Sequence, residues 1–152
     1  MEIEVDYLES DDVIGLLQEH LQDMHATSPP ESVHALDVNG LKSPEITFFR
    51  GTVHGQLVGC IAIKHLENNE AEIKSMRIAN EYRGHGYARQ LLTHIIEYSK
   101  TLNLTRLNLE TGSQTFFDPA RALYFKFGFK TCLPFADYKA DPNSHFMSLI
   151  LD

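Results

Sequence analysis

The stretch Ala71-Glu72-Ile73-Lys74-Ser75-Met76-Arg77-Ile78, followed by Arg83-Gly84-His85-Gly86-Tyr87-Ala88, decides how this chain is read. The first segment has the composition of a strand, and after the second, Ala88, Leu91, Leu92, Ile95 and Ile96 recur on one face of a helix. Glycines at a helix entrance let the backbone approach a ligand closely. The unpaired N–H groups of the first turn point outward there, and the helix dipole favours an anion. Arg83 and Arg89 add positive charge. A tight strand-to-helix turn that uses glycine only for its φ angles is consistent with the same residues. Two nucleotide motifs do not fit. A dinucleotide loop needs a third Gly or Ala where Arg89 stands, and no Gly-Lys-Ser/Thr is present for a P-loop.

Outward from that turn, residues 3–7 alternate as a short first strand. Ser10 stands as an N-cap with Asp11 and Asp12 in the first helical turn, and Val13, Ile14, Leu17, Leu21 and Met24 carry a helix to about His25. Ser28-Pro29-Pro30 breaks it, and Pro30 starts a short second helix through Ala35 and Leu36. Strands are expected at 45–50, 58–64 and 104–110, the first two joined by the hairpin signal from Val53 to Leu57. Asp118-Pro119 opens a helix that closes at Gly128, and two last strands lie at 129–133 and 145–151. The order β-α-α-β-β-β-α-β-α-β-β is of the α/β (mixed α+β) class, a single domain over residues 1–152.

The chain has 152 residues and a mass of 17.3 kDa, the size of one ordinary domain. Its 43% apolar and 22% charged residues are those of a globular protein rather than a disordered one. A net charge of −8, with no Lys/Arg block to offset it, argues against a nucleic-acid partner. No stretch approaches the roughly 18 apolar residues of a membrane span, and Met1 to Asp6 lack the basic and apolar regions of a signal peptide. No membrane partner and a cytoplasmic location are therefore expected. Cys60 and Cys132 sit among apolar neighbours and read as buried strand residues, not as a disulfide or a nucleophile. The histidines lack metal-ligand spacing and no Cys-x-x-Cys occurs, so no metal is expected.

Arg83-x-x-Gly86-x-Ala88 after a strand resembles the Arg/Gln-x-x-Gly-x-Gly/Ala signature of the GNAT superfamily of N-acetyltransferases. Val53 to Ile63 resembles that family's central hairpin, and Ala122-Leu123-Tyr124-Phe125-Lys126-Phe127-Gly128-Phe129 resembles its Leu-Tyr-x-x-x-Gly-Phe segment. Four further stretches are similar to the YsnE-like group of small bacterial members: 28–32, 72–77, 109–113 and 134–138. The resemblance spans nearly the whole chain. It implies a single central, mostly antiparallel sheet of six to seven strands with a splayed parallel pair, flanked by about four helices.

The resemblance also implies direct transfer from acetyl-CoA, as co-substrate, to an amine without an acyl-enzyme. The implied coenzyme contacts are Arg83, Gly84, His85, Gly86, Tyr87, Ala88 and Arg89 around the pyrophosphate, with Met76, Arg77, Ile78, Gly112 and Tyr124 along the pantetheine. A main-chain N–H near Met76 would polarise the thioester carbonyl. Tyr124 matches the family's tyrosine that protonates the departing thiolate, and a phenol of pKa about 10 stays protonated at neutral pH. An aromatic core role beside Leu123, Phe127 and Phe129 is the alternative for it. Glu72 matches the position of a base in several members, Glu110 is its rival, and water can serve instead.

Strict alternation puts Glu72, Lys74 and Met76 on one face of their strand and Ile73, Ser75 and Arg77 on the other, and a bulge would swap part of this. Two loops would bracket the acceptor: 24–36, with His25, Ser28, Glu31 and His34, and 134–144, with Asp137, Tyr138 and Asn143. Arg77 and Lys74 suit a substrate carboxylate, whereas the overall acidity favours a cationic amine. The leading acceptor is a small-molecule amine; a protein N-terminus or lysine is the alternative. A non-catalytic acyl-CoA-binding or sensing domain is the reading from another class, and a homodimer is compatible with the sequence.

Overall fold

The computed structural model describes residues 1–152. A seven-stranded sheet of order β1-β2-β3-β4-β5-β7-β6 forms its centre. Strands β1 (Glu2–Val5), β2 (Ile46–Val53), β3 (Gln56–His65) and β4 (Glu70–Ile78) pair antiparallel in turn. β5 (Arg106–Gly112) lies parallel to β4, β7 (Ser144–Ile150) is antiparallel to β5, and β6 (Lys130–Thr131) closes that edge. The helices are α1 (Asp11–Thr27), α2 (Val38–Leu41), α3 (Tyr87–Thr101) and α4 (Asp118–Lys126). No helix is long and apolar enough to cross a membrane.

Helices cover both faces of the sheet, so β3 is buried without interruption from Val58 to Ile63 instead of alternating. Beneath one face, Val13, Leu16 and Leu17 of α1 and Leu41 of α2 pack on Phe48, Cys60 and Ala62. Beneath the other, Leu91, Leu92 and Ile95 of α3 and Tyr124 of α4 pack on Phe49, Ile61, Ile63, Ile73 and Leu107. The β2–β3 hairpin turns at His54 and Gly55, both at positive φ (51° and 75°), whose twist suits a two-residue hairpin loop.

Two departures from regular pairing shape the middle of the sheet. Cys60 pairs with Arg77 and Ala62 with Lys74, so Ile61 alone faces both Ser75 and Met76. That is a β-bulge on β4, with Ser75 in the left-handed region at φ 52°. The second departure is the short ladder between β4 and β5. It holds only Glu70↔Arg106, Ala71↔Leu107 and Glu72↔Asn108, although both strands run on. Asn108 Nδ2 closes the paired end by donating to Glu70 Oε1 at 3.0 Å.

Several expectations change. The bulge shifts the alternation, so Arg77 joins Glu72 and Lys74 on the α1 side, while Ile73 and Ile78 share the opposite core. The first strand ends at Val5 and not at Tyr7. The helix expected from Pro30 to Leu36 is one 3₁₀ turn, Pro30–Ser32; the next helical turn starts at Val38, where the Asp37 carboxylate accepts from Gly40 N–H at 2.8 Å. Ser10 holds the N-cap position without a side-chain capping bond, its hydroxyl lying 3.5 Å from Arg50 Nη1. The strand expected at 129–133 keeps only Lys130–Thr131, which leaves Cys132 partly exposed beyond it, whereas Cys60 is fully buried in β3.

Gly59 is fixed by the crowding where β3 meets the bulged end of β4. A Cβ there would stand 2.7 Å from the Arg77 carbonyl oxygen and 2.7 Å from Ile78 Cδ1. Gly59→Ala should destabilise the fold by about 1–3 kcal/mol, the range for overpacking. Urea denaturation measures this, and an unchanged midpoint would contradict the packing described.

Candidate active site

Beyond Glu72 and Asn108 the two parallel strands diverge, and the gap between them is a cleft of about 560 Å³. Glu72 to Ile78 form one wall and Leu109 to Gly112 the other. The rest of its lining comes from four places: Tyr82 to Gly84 and Gly86 to Arg89 at the start of α3, residues between Phe116 and Tyr124 around α4, His20 and Met24 of α1, and Ser32 to Ala35. The backbone of β4 after residue 72 faces this gap without a β5 partner, so it can accept an extended ligand as a further strand.

At one end of the cleft α3 begins. Gly84 and Gly86 lie at φ 83° and 80°, and a Cβ on either would meet no protein atom. The glycines therefore leave room as well as allowing the turn. The helical hydrogen bonds start with Gln90 N–H to Gly86 O, so the amides before Gln90 in this turn have no intrahelical acceptor. The exposed Arg83 and Arg89 stand beside them on the cleft. Exposed amides, a helix dipole and two guanidinium groups together suit an anion. His85 is exposed and its side chain is not part of the cleft wall.

At the other end the polar side chains gather. Glu72, only 3% exposed, accepts from Tyr138 Oη at 2.5 Å and from Lys74 Nζ at 3.3 Å. Lys74 Nζ also donates to Tyr138 Oη at 3.1 Å and to the His34 carbonyl at 3.2 Å. His34 packs edge-on to the Tyr138 ring at 4.9 Å. These residues divide the cleft from a second cavity of about 640 Å³ under the 136–143 loop; Ser32, His34, Glu72 and Lys74 line both. The Ser32 hydroxyl donates to Asp141 Oδ2 at 2.6 Å and ties the two bracketing loops together.

Glu110 stands on the opposite wall. Burial pushes its carboxyl up to about 7, with Lys74 pulling it down and Glu72 pushing it up. Tyr124, from α4, is 6% exposed and reaches the cleft while its ring packs 5.6 Å from Phe129. Burial raises its phenol well above the ordinary tyrosine range. Tyr124 is therefore a core aromatic, as the alternative reading had it, on a residue that also lines the cleft. Gly112 lines the same wall, where a Cβ would collide with the Phe117 ring.

Of the acceptor residues expected from sequence, Ser28, His34 and Arg77 line the cleft, and Tyr138 lines the second cavity and touches Glu72. His25 does not. It is exposed on the last turn of α1 and lines neither cavity. Arg77 is not the open cation foreseen for a carboxylate: Nη1 lies 2.8 Å from Asp23 and Nη2 3.8 Å from Glu19. His20 was missed. It lines the cleft beside Met24, the first residue of the bracketing 24–36 segment, on the helical stripe Val13, Leu17, His20, Met24. Burial and Arg77 hold His20 down to about 4, which leaves it neutral. No group of His, Cys, Asp and Glu is arranged to hold a metal ion.

Residues 13–129 match the acetyltransferase (GNAT) family. The chain is 49% identical to the uncharacterized N-acetyltransferase YsnE of Bacillus subtilis over 148 residues, covering 97% of this chain and 98% of that protein. It is 44% identical to the uncharacterized N-acetyltransferase YedL of Escherichia coli, with 98% and 94% covered. It is 37% identical to an IAA acetyltransferase of Azospirillum brasilense, with 90% and 89% covered. A solved acyl-CoA N-acyltransferase of Klebsiella pneumoniae superposes with a TM-score of 0.80 at 26% identity, over 99% of this chain and 97% of that one. The PaiA N-acetyltransferase of Thermoplasma acidophilum, solved with coenzyme A, shares the fold with a TM-score of 0.69 at 18% identity, over 97% and 98%. The chain described here is therefore a GNAT-family acetyltransferase, an acyltransferase enzyme whose family draws its acetyl group from acetyl-CoA.

Proposed function

We propose that this protein acetylates the primary amine of a small molecule, with acetyl-CoA in the cleft between β4 and β5. The observation that carries this reading is the unpaired run of β4 backbone leading straight to the anion cradle at α3. The residues present fit the coenzyme. The amides of 83–88 would hold its pyrophosphate, and the open glycine positions leave room for it. The free β4 backbone near Met76 would hold the pantetheine amides. The coenzyme supplies an acetyl thioester, an acyl group already activated toward amines.

The acceptor amine must lose a proton, and two carboxylates face the reacting end. Glu72 is committed to Tyr138 and Lys74, so it serves best as a positioning residue that anchors the 134–143 loop on β4. Glu110, near 7, is matched to accept a proton at neutral pH and acts as the base. Tyr124 keeps its proton until the thiolate leaves and then donates it. The N–H groups near Met76 stabilise charge on the thioester oxygen. The hydrogen bond between Ser32 and Asp141 joins the two loops that bracket this end, which supports a small acceptor over a folded protein surface.

Binding is tested by thermal unfolding with acetyl-CoA, CoA, NADH and ATP. Either CoA species should raise Tm, by about 2.7 kcal/mol of stability at 100 times Kd. Gly86→Asp should abolish that rise, because it adds a side chain and a negative charge where the anion sits. No rise in the wild type would defeat the reading.

Turnover is followed by thiol release across amine panels. The base must be deprotonated to work, so kcat/KM should climb with pH and level off above an apparent pKa near 7. Glu110→Gln should lower kcat/KM by roughly 10²–10⁴-fold and remove that limb. Glu72→Gln should keep the limb, with the loss falling mainly on KM. If the limb instead vanishes in Glu72→Gln and survives in Glu110→Gln, the two roles are reversed. Tyr124→Phe should lower kcat, and an unchanged kcat would refute the acid role.

A further inference from the structure

Ser144, the first residue of β7, carries a hydroxyl oxygen that is buried and makes no hydrogen bond. A buried hydroxyl without a partner is uncommon in a folded chain, and the β5–β7 ladder places the group that can serve it. Glu110 pairs with Phe146 and Gly112 with Ser144, so Glu110 and Ser144 are diagonal neighbours on one face of the sheet. A long side chain spans that diagonal. The face is that of the site, since the Phe146 ring lies 5.4 Å from Tyr138 there and Glu110 lines the cleft. The backbone of Ser144 is fixed as well: its N–H donates to the Asp141 carbonyl at 3.0 Å, and Asp141 is tied to Ser32.

Glu110 has the complementary need. Burial raises its carboxyl to about 7, and the Ser144 hydroxyl beside it is the strongest influence in the other direction, ahead of Lys74. Glu72 on β4 and Asp141 in the loop before β7 push it up. The other donors of this cluster are already committed. Lys74 has three N–H donors, which Glu72, Tyr138 and the His34 carbonyl take, and Tyr138 gives its proton to Glu72. Ser144 is the donor whose hydrogen is free, and a hydroxyl rotates to suit its acceptor.

Resting on the base role proposed for Glu110, we infer that Ser144 is its positioning residue, whose hydroxyl turns to donate to the ionised carboxylate and fixes it toward the acceptor amine. When that amine gives up its proton, the proton goes to the carboxylate oxygen that Ser144 does not hold, and Ser144 keeps its own. Because the hydroxyl favours the ionised base, it sets the pH at which acetylation begins.

The test follows the Glu110 side-chain carboxyl by ¹³C NMR through a pH titration of the ligand-free protein, in wild type, Ser144→Ala and Ser144→Thr, alongside kcat/KM against pH. Removing a donor to the ionised form raises a carboxyl. In Ser144→Ala the Glu110 midpoint and the kcat/KM limb should therefore both move up by about one pH unit. kcat/KM should fall roughly fivefold at pH 7 and recover above about pH 9, whereas a merely structural loss would be equal at every pH. Ser144→Thr keeps a hydroxyl and should bring both midpoints back toward wild type. A Glu110 midpoint that Ser144→Ala leaves in place would overturn the inference, whatever happens to activity. A midpoint that moves while the limb stays would uphold the Ser144–Glu110 pair and strike the base role of Glu110 instead, so the two failures are distinct.

Discussion

The extra residue in β4 is the constraint from which the site follows. Ser75 adopts a left-handed φ of 52°, a conformation that costs a non-glycine residue on the order of 1 kcal/mol. Its carbonyl accepts a hydrogen bond from the Cys60 thiol at 3.2 Å, and burial keeps that thiol protonated, with its pKa pushed up to about 12. Two residues further on, the shifted alternation turns Arg77 toward α1, where Asp23 and Glu19 receive it. Without the bulge, Arg77 would point into the apolar layer beneath α3. On its other edge β4 is unpaired with β5 after Glu72, which leaves a stretch of backbone that a ligand can pair with.

The same separation sorts the polar groups. Two glutamates stand on the neighbouring strands, yet their surroundings give them different states. Glu72 is satisfied by a phenol and an ammonium group, while Glu110 is raised toward neutrality mainly by burial. Glu72 is therefore tied into the loop, while Glu110 is left free of such partners on the opposite wall. Tyr124, on the far side of the cleft, is kept protonated by the core that packs it. Packing in the core is thus compatible with the proton-donor role proposed for this residue.

Much of this was legible in the sequence. The glycine-bearing turn at Arg83 to Ala88 and the amphipathic α3 are local patterns that lie where local chemistry placed them, and the Leu123-Tyr124 segment lines the cleft as the resemblance implied. The faces of β4 after Lys74 were not legible, because a bulge is set by pairing with β3 and by the close approach at Gly59. Partners distant in sequence were equally hidden. The Tyr138–Glu72 bond joins residues 66 apart, and the Arg77–Asp23 pair spans 54. Sequence could nominate Tyr138, Glu72 and Arg77, but not which of them would already be occupied. His25 failed for a related reason: it lies one residue past Met24, and that single step turns it to solvent.

The central claim is that the divergent halves of β4 and β5, with the start of α3, form one coenzyme site. Amide hydrogen exchange with and without CoA tests it most directly, residue by residue. Binding should slow exchange at 73–78 of β4 and at 84–89 of the α3 turn, and leave the β5–β7 ladder unchanged. Protection confined to the 136–143 loop, or none at the α3 turn, would contradict the account.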